Sequence, residues 1–242
     1  MRAYAIGDIH GHLGLLRSAQ DLVQQDRDRV GDATAPLVHL GDLVDRGHET
    51  RGVIDHLMAG QARGEPWVVL KGNHDRLFTG WLRDPHTRDP KLAREVDWLH
   101  PRVGGAATLE SYGVANAAER ALDDVHADAL QQVPAAHRQW LSRLPLYALH
   151  DQSLFVHAGV RPGIDLRNQV EDDLVWIRAE FLEDSRDHGA LIVHGHTAID
   201  KVTHYGNRLN MDSSAAYGGP VSAAVIEGRQ AWLLTPEGRV AL

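Results

Sequence analysis

Apolar and polar positions in the first third of the chain alternate between strand patterns and helix patterns. Short apolar runs typical of buried strands lie at residues 2–6, 36–40 and 67–70. Elsewhere in this third, apolar residues recur every three or four positions, which predicts helices over residues 13–25, 50–58 and 75–82. Such a β-α-β-α-β order builds a sheet with helices on both faces.

The middle of the chain follows another pattern. Residues 83–145 begin with turn-like Asp-Pro segments and continue with Ala-rich stretches, which predict helices over 117–132 and 135–143. The last third returns to apolar runs, and we expect strands at 154–157, 191–193, 202–205, 221–226 and 230–234, with a helix over 175–182. The predicted fold class is therefore α/β: a β-sandwich flanked by helices, with a helical insertion at about 83–145, in a single domain spanning 1–242.

The composition argues against several classes of function. With 242 residues, 43% of them hydrophobic and 24% charged, the chain is long enough for one well-buried core. Its net charge of −8 argues against a nucleic-acid partner, because nucleic-acid-binding domains usually carry a basic face. The absence of cysteine excludes a thiol nucleophile. No membrane-length apolar run or signal-like pattern is present, so we expect a cytoplasmic protein without a membrane partner.

Five short segments carry side chains of the metal-ligand type. They are Gly-Asp-Ile-His-Gly at 7–11, Gly-Asp-Leu-Val-Asp-Arg-Gly at 41–47, Gly-Asn-His-Asp at 72–75, His-Ala-Gly at 157–159 and His-Gly-His-Thr at 194–197. The first three follow predicted strands directly, at the strand ends where open α/β sheets bind ligands. The Asp, Asn and His types among them are hard or borderline ligands without thiolate, which suits Mn²⁺, Fe, Zn²⁺ or Mg²⁺.

The order of these motifs resembles the phosphoprotein phosphatase family of the calcineurin-like metallophosphoesterases, and the Gly-His-Thr ending resembles its bacterial and phage branch. The resemblance runs from about residue 2 to about residue 226. It implies two divalent ions, with Mn²⁺ as the first expectation. It also implies six metal ligands: Asp8, His10, Asp42, Asn73, His157 and His196. Asp8 and His10 are two positions apart, so in extended chain they point the same way, and Asp42 is the expected bridging carboxylate.

The resemblance also supplies the catalytic roles. His74 is the expected proton donor to the leaving group, oriented by Asp45, while Arg46 and Arg178 are expected to hold the phosphate. His194 and His12 are expected to be structural neighbours of the site, and Tyr217 to lie near its mouth. We expect most of the other histidines at the surface, among them His39, His56, His86, His100, His137, His188 and His204.

The predicted activity is hydrolysis of phosphoserine or phosphothreonine monoesters by direct attack of a metal-bridging hydroxide. Phosphorylated proteins, small molecules or nucleotides are the expected partners, and the sequence leaves the oligomeric state open. Symmetrical bis(5'-nucleosyl)-tetraphosphatases belong to the same superfamily, so a nucleotide phosphohydrolase is the first alternative. Asp75 is also found in that branch, whereas Asp45 favours the protein-phosphatase side. A catalytically inactive phospho-ligand binding protein is the alternative from another class.

Overall fold

The computed structural model describes residues 1–242 as two β-sheets with eight α-helices. The strands are β1 Arg2–Ile6, β2 Leu37–His39, β3 Trp67–Val69, β4 Tyr147–His150, β5 Ser153–Val156, β6 Leu191–His194, β7 Thr203–His204, β8 Arg208–Asn210, β9 Ala223–Glu227, β10 Gln230–Thr235 and β11 Gly238–Ala241. The helices are α1 Leu13–Val30, α2 Thr50–Ala62, α3 Asn73–Arg83, α4 Gly105–Ser111, α5 Leu122–Gln132, α6 Ala135–Ser142, α7 Glu171–Trp176 and α8 Ala179–Leu182.

The strands form a sandwich of two mixed sheets. The first sheet has the order β11-β10-β9-β1-β2-β3, in which β1, β2 and β3 are parallel, and the second has the order β4-β5-β6-β8-β7. Small side chains such as Ala3 and Ala5 face inward and pack with residues of the second sheet, including Phe155, Val193 and Leu209. The predicted β-sandwich flanked by helices is therefore confirmed.

Alternation along β1 gives each face of the sheet its own core. Tyr4 and Ile6 point away from the sandwich and pack under α1, α2 and α3 in the largest apolar cluster. A third cluster covers the outer face of the second sheet, where Leu154 and Val156 contact α7 and α8. The molecule thus has four layers, with helices outside two sheets. No helix is both long and apolar enough to cross a membrane.

Several predicted elements differ from the observed ones. The helix expected over 175–182 is two short helices, α7 and α8, because the backbone at Arg178 leaves the helical region with φ −131° and ψ −102°. Strands β4, β8 and β11 and helix α4 were not predicted. His39 and His137 are buried rather than at the surface: His39 lies in β2 between helix and sheet, and His137 bonds the Tyr112 hydroxyl.

The insertion lies beside the carboxyl ends of β1, β2 and β3. Its first part, between α3 and α4, has no regular helix, whereas its second part contains α4, a short turn of 3₁₀ helix at Ala117–Glu119, α5 and α6. Trp98 from the first part packs against Phe78 of α3 with ring centroids 5.1 Å apart. The insertion therefore shares its core with α3, the helix that begins in the third motif.

Candidate active site and metal centre

The motif loops hold an unusual concentration of left-handed backbone. Eight non-glycine residues have a positive φ, and five of them are predicted site residues: His10, Asp42, Asp45, Arg46 and His196. L-residues seldom adopt this region, and such conformations persist only where the surrounding structure fixes them. Clustering at one place is typical of a functional site, where backbone strain is tolerated for the sake of side-chain placement.

Two glycines allow these loops to touch. A Cβ at Gly72 would lie 2.2 Å from Asp42 Oδ1, and a Cβ at Gly195 would lie 2.0 Å from Asp8 Oδ1. Any side chain there would displace a carboxylate. The glycines of the third and fifth motifs are therefore explained by close approach to the acidic residues of the second and first.

Asp42 lies at the centre of the site, and its two oxygens face different partners. Oδ2 is 3.5 Å from His10 Nε2 and 4.0 Å from His74 Nε2, while Oδ1 is 3.3 Å from His157 Nε2. Two groups of side chains that could hold a metal ion result, His10–Asp42–His74 and Asp42–His157–His196, each with its potential ligand atoms within 4.8 Å of one another. Because both groups contain Asp42, the geometry suits a carboxylate shared between two ions.

Asn73 joins the second group through its side-chain oxygen. Asn73 Oδ1 is 2.9 Å from His157 Nε2 and 2.8 Å from His196 Nδ1. The other ring nitrogen of His196, Nε2, is buried and has no hydrogen-bond partner. Three potential ligands, from the segments that follow β3, β5 and β6, thus converge on one point, and the His196 nitrogen on the other side of its ring is buried without a partner.

Asp8 lies beside both groups but belongs to neither. Its two carboxylate oxygens accept from the backbone N–H of His196 at 3.3 and 3.2 Å. Burial, together with the nearby carboxylates of Asp212 and Asp42, raises the pKa of Asp8 well above its ordinary value. Three crowded carboxylates in a buried site favour the binding of divalent cations, which would neutralise their repulsion.

The remaining protonation states also fit metal ions. Burial lowers the pKa values of His10, His157 and His196, which favours their neutral forms. Burial opposes ionisation of Asp42, but the surrounding imidazoles bring its pKa below the ordinary value. Neutral imidazole and ionised carboxylate are the forms that ligate divalent ions. His10 Nδ1 lies 3.0 Å from the Val44 carbonyl, which orients Nε2 toward Asp42.

His74 and Asp45 form a buried pair at the side of this centre. His74 Nδ1 lies 2.6 Å from Asp45 Oδ2, and His74 Nε2 faces the site. Burial would lower the pKa of His74, but the carboxylates of Asp42 and Asp45 raise it overall. The pair therefore has the arrangement of an oriented acid, with one nitrogen held by a carboxylate and the other directed at the reaction centre.

The mouth of the site is lined by two arginines and a tyrosine. A pocket of about 240 Å³ includes Arg46, Arg178 and Tyr217 together with His10, Asp42 and Asn73. Arg46 Nη2 is 3.3 Å from His74 Nε2, and the Arg46 guanidinium lies 5.1 Å from the centre of the Tyr217 ring. Arg178 contacts the Thr197 hydroxyl at 3.4 Å. The structure thus brings both predicted phosphate-binding arginines to the metal centre.

A wider rim of positive charge surrounds this pocket. Lys91 and Arg102 from the insertion line the adjoining outer pocket together with Arg46, His74 and Arg178. The lysine and the three arginines of this set all lack a carboxylate within 4.0 Å, although the chain as a whole is acidic. Unpaired cations around a buried cluster of acids and imidazoles make the mouth of this pocket favourable for anions.

The sequence model of the calcineurin-like phosphoesterases matches residues 1–226. The chain belongs to that family. Members of the family bind two metal ions, and the two ligand groups that share Asp42 fit this arrangement.

Two curated relatives of this calcineurin-like phosphoesterase are nucleotide hydrolases. The asymmetrical bis(5'-nucleosyl)-tetraphosphatase PrpE of Anoxybacillus flavithermus is 26% identical over 239 residues, which cover 90% of this chain and 87% of that protein. The symmetrical bis(5'-nucleosyl)-tetraphosphatase of Janthinobacterium is 29% identical over 168 residues, which cover 67% of this chain and 45% of that protein. The chain therefore spans nearly all of the first relative and less than half of the second.

A solved structure supports the fold of the family. A protein described provisionally as a diadenosine tetraphosphatase matches with a TM-score of 0.63 and 22% identity, covering 100% of this chain and 92% of that one. At this identity the similarity shows a shared fold. The expected metallophosphoesterase architecture is confirmed by it and by the family match.

His194 and Tyr217 were both expected near the site, and the structure shows what surrounds each of them. His194 is fully buried, lies against Phe181 with ring centroids 5.1 Å apart, and is 3.5 Å from Arg208 Nη1. Burial lowers its pKa to about 3, so it is a neutral packing residue. Tyr217 is 71% exposed at the mouth of the metal pocket, as expected.

Other residues of the site were not singled out from the sequence. Trp98 and Thr108 of the insertion both donate to Asp45, at 3.0 and 2.8 Å. Asp75 accepts from the backbone N–H groups of Gly72 and Leu43, which joins the third motif to the second. The sequence does contain a signal for the role of Asp75, because an acidic residue three positions after Gly72 is typical of a helix N-terminus. For Trp98 and Thr108 no local pattern points to the site.

Proposed function

We propose that this protein is a dinuclear metal-dependent phosphohydrolase that cleaves dinucleoside polyphosphates. The proposal rests on the metal-ligand groups around Asp42, on the unpaired cations at the mouth, and on relatives named as tetraphosphatases. The six expected ligands, Asp8, His10, Asp42, Asn73, His157 and His196, hold the ions in this proposal.

The observation that most supports the proposal is the cationic rim, formed by Arg46, Arg178, Lys91 and Arg102. A single phosphate needs one or two arginines, and Arg46 and Arg178 supply these at the metal centre. Lys91 and Arg102 do not line the inner pocket but line the adjoining outer one, so the positive surface continues outward from Arg46 and Arg178. Such an extended surface favours a chain of phosphates over a phosphate monoester.

The ligands define what the bound ions would contribute. Two divalent ions, with Mn²⁺ as the expected pair, supply a water nucleophile of lowered pKa and neutralise charge on the phosphoryl group. Asp42 is oriented for this task by the backbone N–H of His74, which donates to Asp42 Oδ1 at 3.0 Å. His157 Nδ1 lies 2.9 Å from the Leu40 carbonyl, which directs Nε2 toward Asp42.

The remaining residues act on the substrate directly. Arg46 and Arg178 hold the non-bridging phosphoryl oxygens as charge develops on them. His74, kept protonated by Asp42 and Asp45, transfers its Nε2 proton to the departing oxygen. Its other nitrogen stays bonded to Asp45, so the imidazole keeps its orientation while the proton moves.

Hydrolysis of phosphoserine or phosphothreonine monoesters is the second candidate. It is favoured by the His74–Asp45 pair, because an alkoxide leaving group needs protonation more than a nucleotide does. Both candidates use the same metal centre and the same arginines. They differ in the part of the substrate that the rim and the insertion would contact, which is a nucleotide in the first candidate and a peptide in the second.

A direct comparison of substrates tests the proposal. Purified protein loaded with Mn²⁺ is assayed on diadenosine tetraphosphate and on a phosphoserine peptide, with products separated by ion-exchange chromatography. We expect a higher kcat/KM on the dinucleotide. Efficient turnover of the peptide without cleavage of the dinucleotide would replace the proposal with the second candidate.

A further inference from the structure

A second cavity lies next to the metal pocket, between helix α3 and the first part of the insertion. We call it the insertion cavity. It has a volume of about 400 Å³, and its apolar wall includes Leu77, Trp81, Leu92, Val96 and Trp98. A volume of this size is within the range of small-molecule sites, which are mostly apolar with a few polar groups.

The insertion cavity adjoins the active site through shared walls. Leu77, Leu92 and Val96 line both this cavity and the outer metal pocket that contains His74 and Arg46. Trp98 connects the two as well, since its ring lines the cavity while its N–H donates to Asp45. A single ligand that occupies both the insertion cavity and the outer metal pocket would lie against these shared side chains.

Helix α3 sets the distance between the two spaces. His74 is in its first turn, and Trp81 follows seven residues later, two turns along the helix. At about 1.5 Å of rise per residue the two positions are about 10 Å apart along the axis. The cavity is therefore too far from the metal centre for the phosphoryl group being cleaved, and it suits a more distant part of the same substrate.

The insertion cavity and the cationic rim differ in the charges that line them. The lining of the cavity has four cations, Lys71, Arg76, Arg83 and Arg88, and four carboxylates, Asp89, Asp97, Glu171 and Asp172. Arg76 binds Asp89 at 2.7 Å and Asp172 at 2.6 Å, and Lys71 lies 3.8 Å from Glu171. A charge-balanced, aromatic cavity does not favour another phosphate. The unpaired Lys91 and Arg102 of the adjoining outer pocket do, so a phosphate chain belongs on the rim and an uncharged group belongs inside.

The aromatic residues of the cavity indicate what that group is. The Trp81 and Trp98 rings both line the cavity, with centroids 4.8 Å apart at 45°, and an aromatic wall suits a planar ring. The indole N–H groups of Trp98 and Trp176 donate to Asp45 and Asp89, whereas that of Trp81, only 4% exposed, donates to no protein acceptor. A flat surface beside a free donor fits a nucleobase, whose ring nitrogens accept hydrogen bonds.

We propose that the insertion cavity binds one nucleoside of the substrate, with its base against Trp81 and its phosphate chain along the rim to the metal centre. This inference rests on the proposed function and adds to it the place where the nucleoside is recognised. The insertion then has a role in specificity: it selects nucleotides from other phosphate esters.

Gly80 of α3 provides a test with little risk to the fold. It lines the cavity, lies one turn beyond Arg76, and a Cβ there meets no atom within 4 Å. Its φ is not positive, so an L-residue fits, and leucine is a better helix former than glycine. Gly80→Leu fills part of the cavity, and Gly80→Ala fills less of it.

The measurement is the ratio of kcat/KM for diadenosine tetraphosphate to kcat/KM for p-nitrophenyl phosphate, which has no nucleoside. We expect this ratio to fall at least about tenfold in Gly80→Leu, since stacking of a base on an aromatic ring contributes on that scale. A smaller fall is expected in Gly80→Ala. The matched control is Gly14→Leu, another helical glycine whose Cβ meets no atom and which lines neither pocket. Its ratio stays at the wild-type value.

The outcomes distinguish the two proposals. If the wild type cleaves the dinucleotide and the ratio is unchanged in both Gly80 variants, the cavity assignment is wrong and the proposed function stands. If the wild type hydrolyses p-nitrophenyl phosphate but not the dinucleotide, the proposed function is wrong and the nucleoside site with it. Circular dichroism melting of each variant shows that the compared proteins are folded.

Discussion

The indole nitrogen of Trp98 lies 3.1 and 3.0 Å from the two carboxylate oxygens of Asp45. Thr108 donates to Oδ1 of the same carboxylate at 2.8 Å, and its hydroxyl accepts from the Asp45 backbone N–H at 2.8 Å. Asp45 is fully buried, so its charge depends on these donors and on His74. The insertion thus fixes the residue that orients the expected proton donor.

Loss of the Trp98 donor should weaken catalysis without removing the ions. A hydrogen bond to a charged group is worth about 1.5–3 kcal/mol, so Trp98→Phe should lower kcat for phenyl phosphate by about 10- to 150-fold. The loss on p-nitrophenyl phosphate should be smaller, because its leaving group needs less protonation. Trp140→Phe is the control, since Trp140 donates to Gln61, away from the site. Equal losses on both substrates would show that Trp98 does not act through the acid.

The assignment of His74 as the acid predicts dependence on the leaving group. His74→Asn should lose about 10²- to 10⁴-fold on phenyl phosphate. The loss on p-nitrophenyl phosphate should be clearly smaller, and the metal content should be unchanged. The measurements are the two rate constants and metal analysis of the variant.

One structural fact makes this test necessary. His74 Nε2 is close enough to Asp42 and His10 to form one of the two metal-binding groups. A ligand role for His74 would appear as loss of an ion together with equal losses on both aryl phosphates. Either of these results would contradict the acid assignment.

A buried ion pair far from the site predicts how stability depends on pH. Asp26 in α1 accepts from Arg239 through two bonds of 2.8 Å and from the Tyr4 hydroxyl at 2.9 Å. Burial opposes its ionisation, but these donors lower its pKa below the ordinary value. A lowered folded-state pKa adds stability above the unfolded pKa of about 3.9, and that stability is lost as pH falls through the folded-state pKa.

Asp26→Asn should therefore lower the free energy of unfolding by about 1.5–3 kcal/mol at pH 7, because the charge-assisted bonds from Arg239 are weakened while Arg239 keeps its ion pair with Glu227. The difference from wild type should begin to shrink below about pH 3.9, where Asp26 of the unfolded chain becomes neutral, and should go on shrinking as pH falls through the lower pKa of the folded state. Urea unfolding at pH 7 and pH 3 measures both values. Asp28→Asn, an exposed change in the same helix, is the control and should have little effect at either pH. A difference that is the same at both pH values would rule out a contribution from this ionisation.

Local sequence patterns predicted the core of the fold and the meeting of the ligands. Strands β1, β2 and β3 and helices α1, α2 and α3 were expected from apolar periodicity, and each lies within a few residues of its predicted bounds. The motifs follow parallel strands, so their convergence at the carboxyl ends could also be expected. The structure places the predicted ligand residues around Asp42, while their roles as ligands stay predictions.

The features that the sequence did not predict depend on contacts between residues that are distant in the sequence. Trp98 reaches Asp45 across 53 positions, and Thr108 across 63, so no local pattern marks either residue. The helix expected over 175–182 is interrupted at Arg178, beside the metal pocket, although its sequence reads as one helix. Strand β8 is only three residues long and is defined by pairing with β6 and β7, which tertiary structure decides.

Metal content is the most direct measure of a dinuclear centre built on Asp42. Protein stripped with chelator and reloaded with Mn²⁺ is analysed by inductively coupled plasma mass spectrometry, with hydrolysis of p-nitrophenyl phosphate measured in parallel. We expect about two ions per chain and restored activity in the wild type. Asp42→Asn should lose both, because this carboxylate belongs to both ligand groups. Asp28→Asn, which removes an exposed carboxylate outside the site, should keep both. Full activity in stripped wild-type protein, or two ions and a normal rate in Asp42→Asn, would contradict the centre described above.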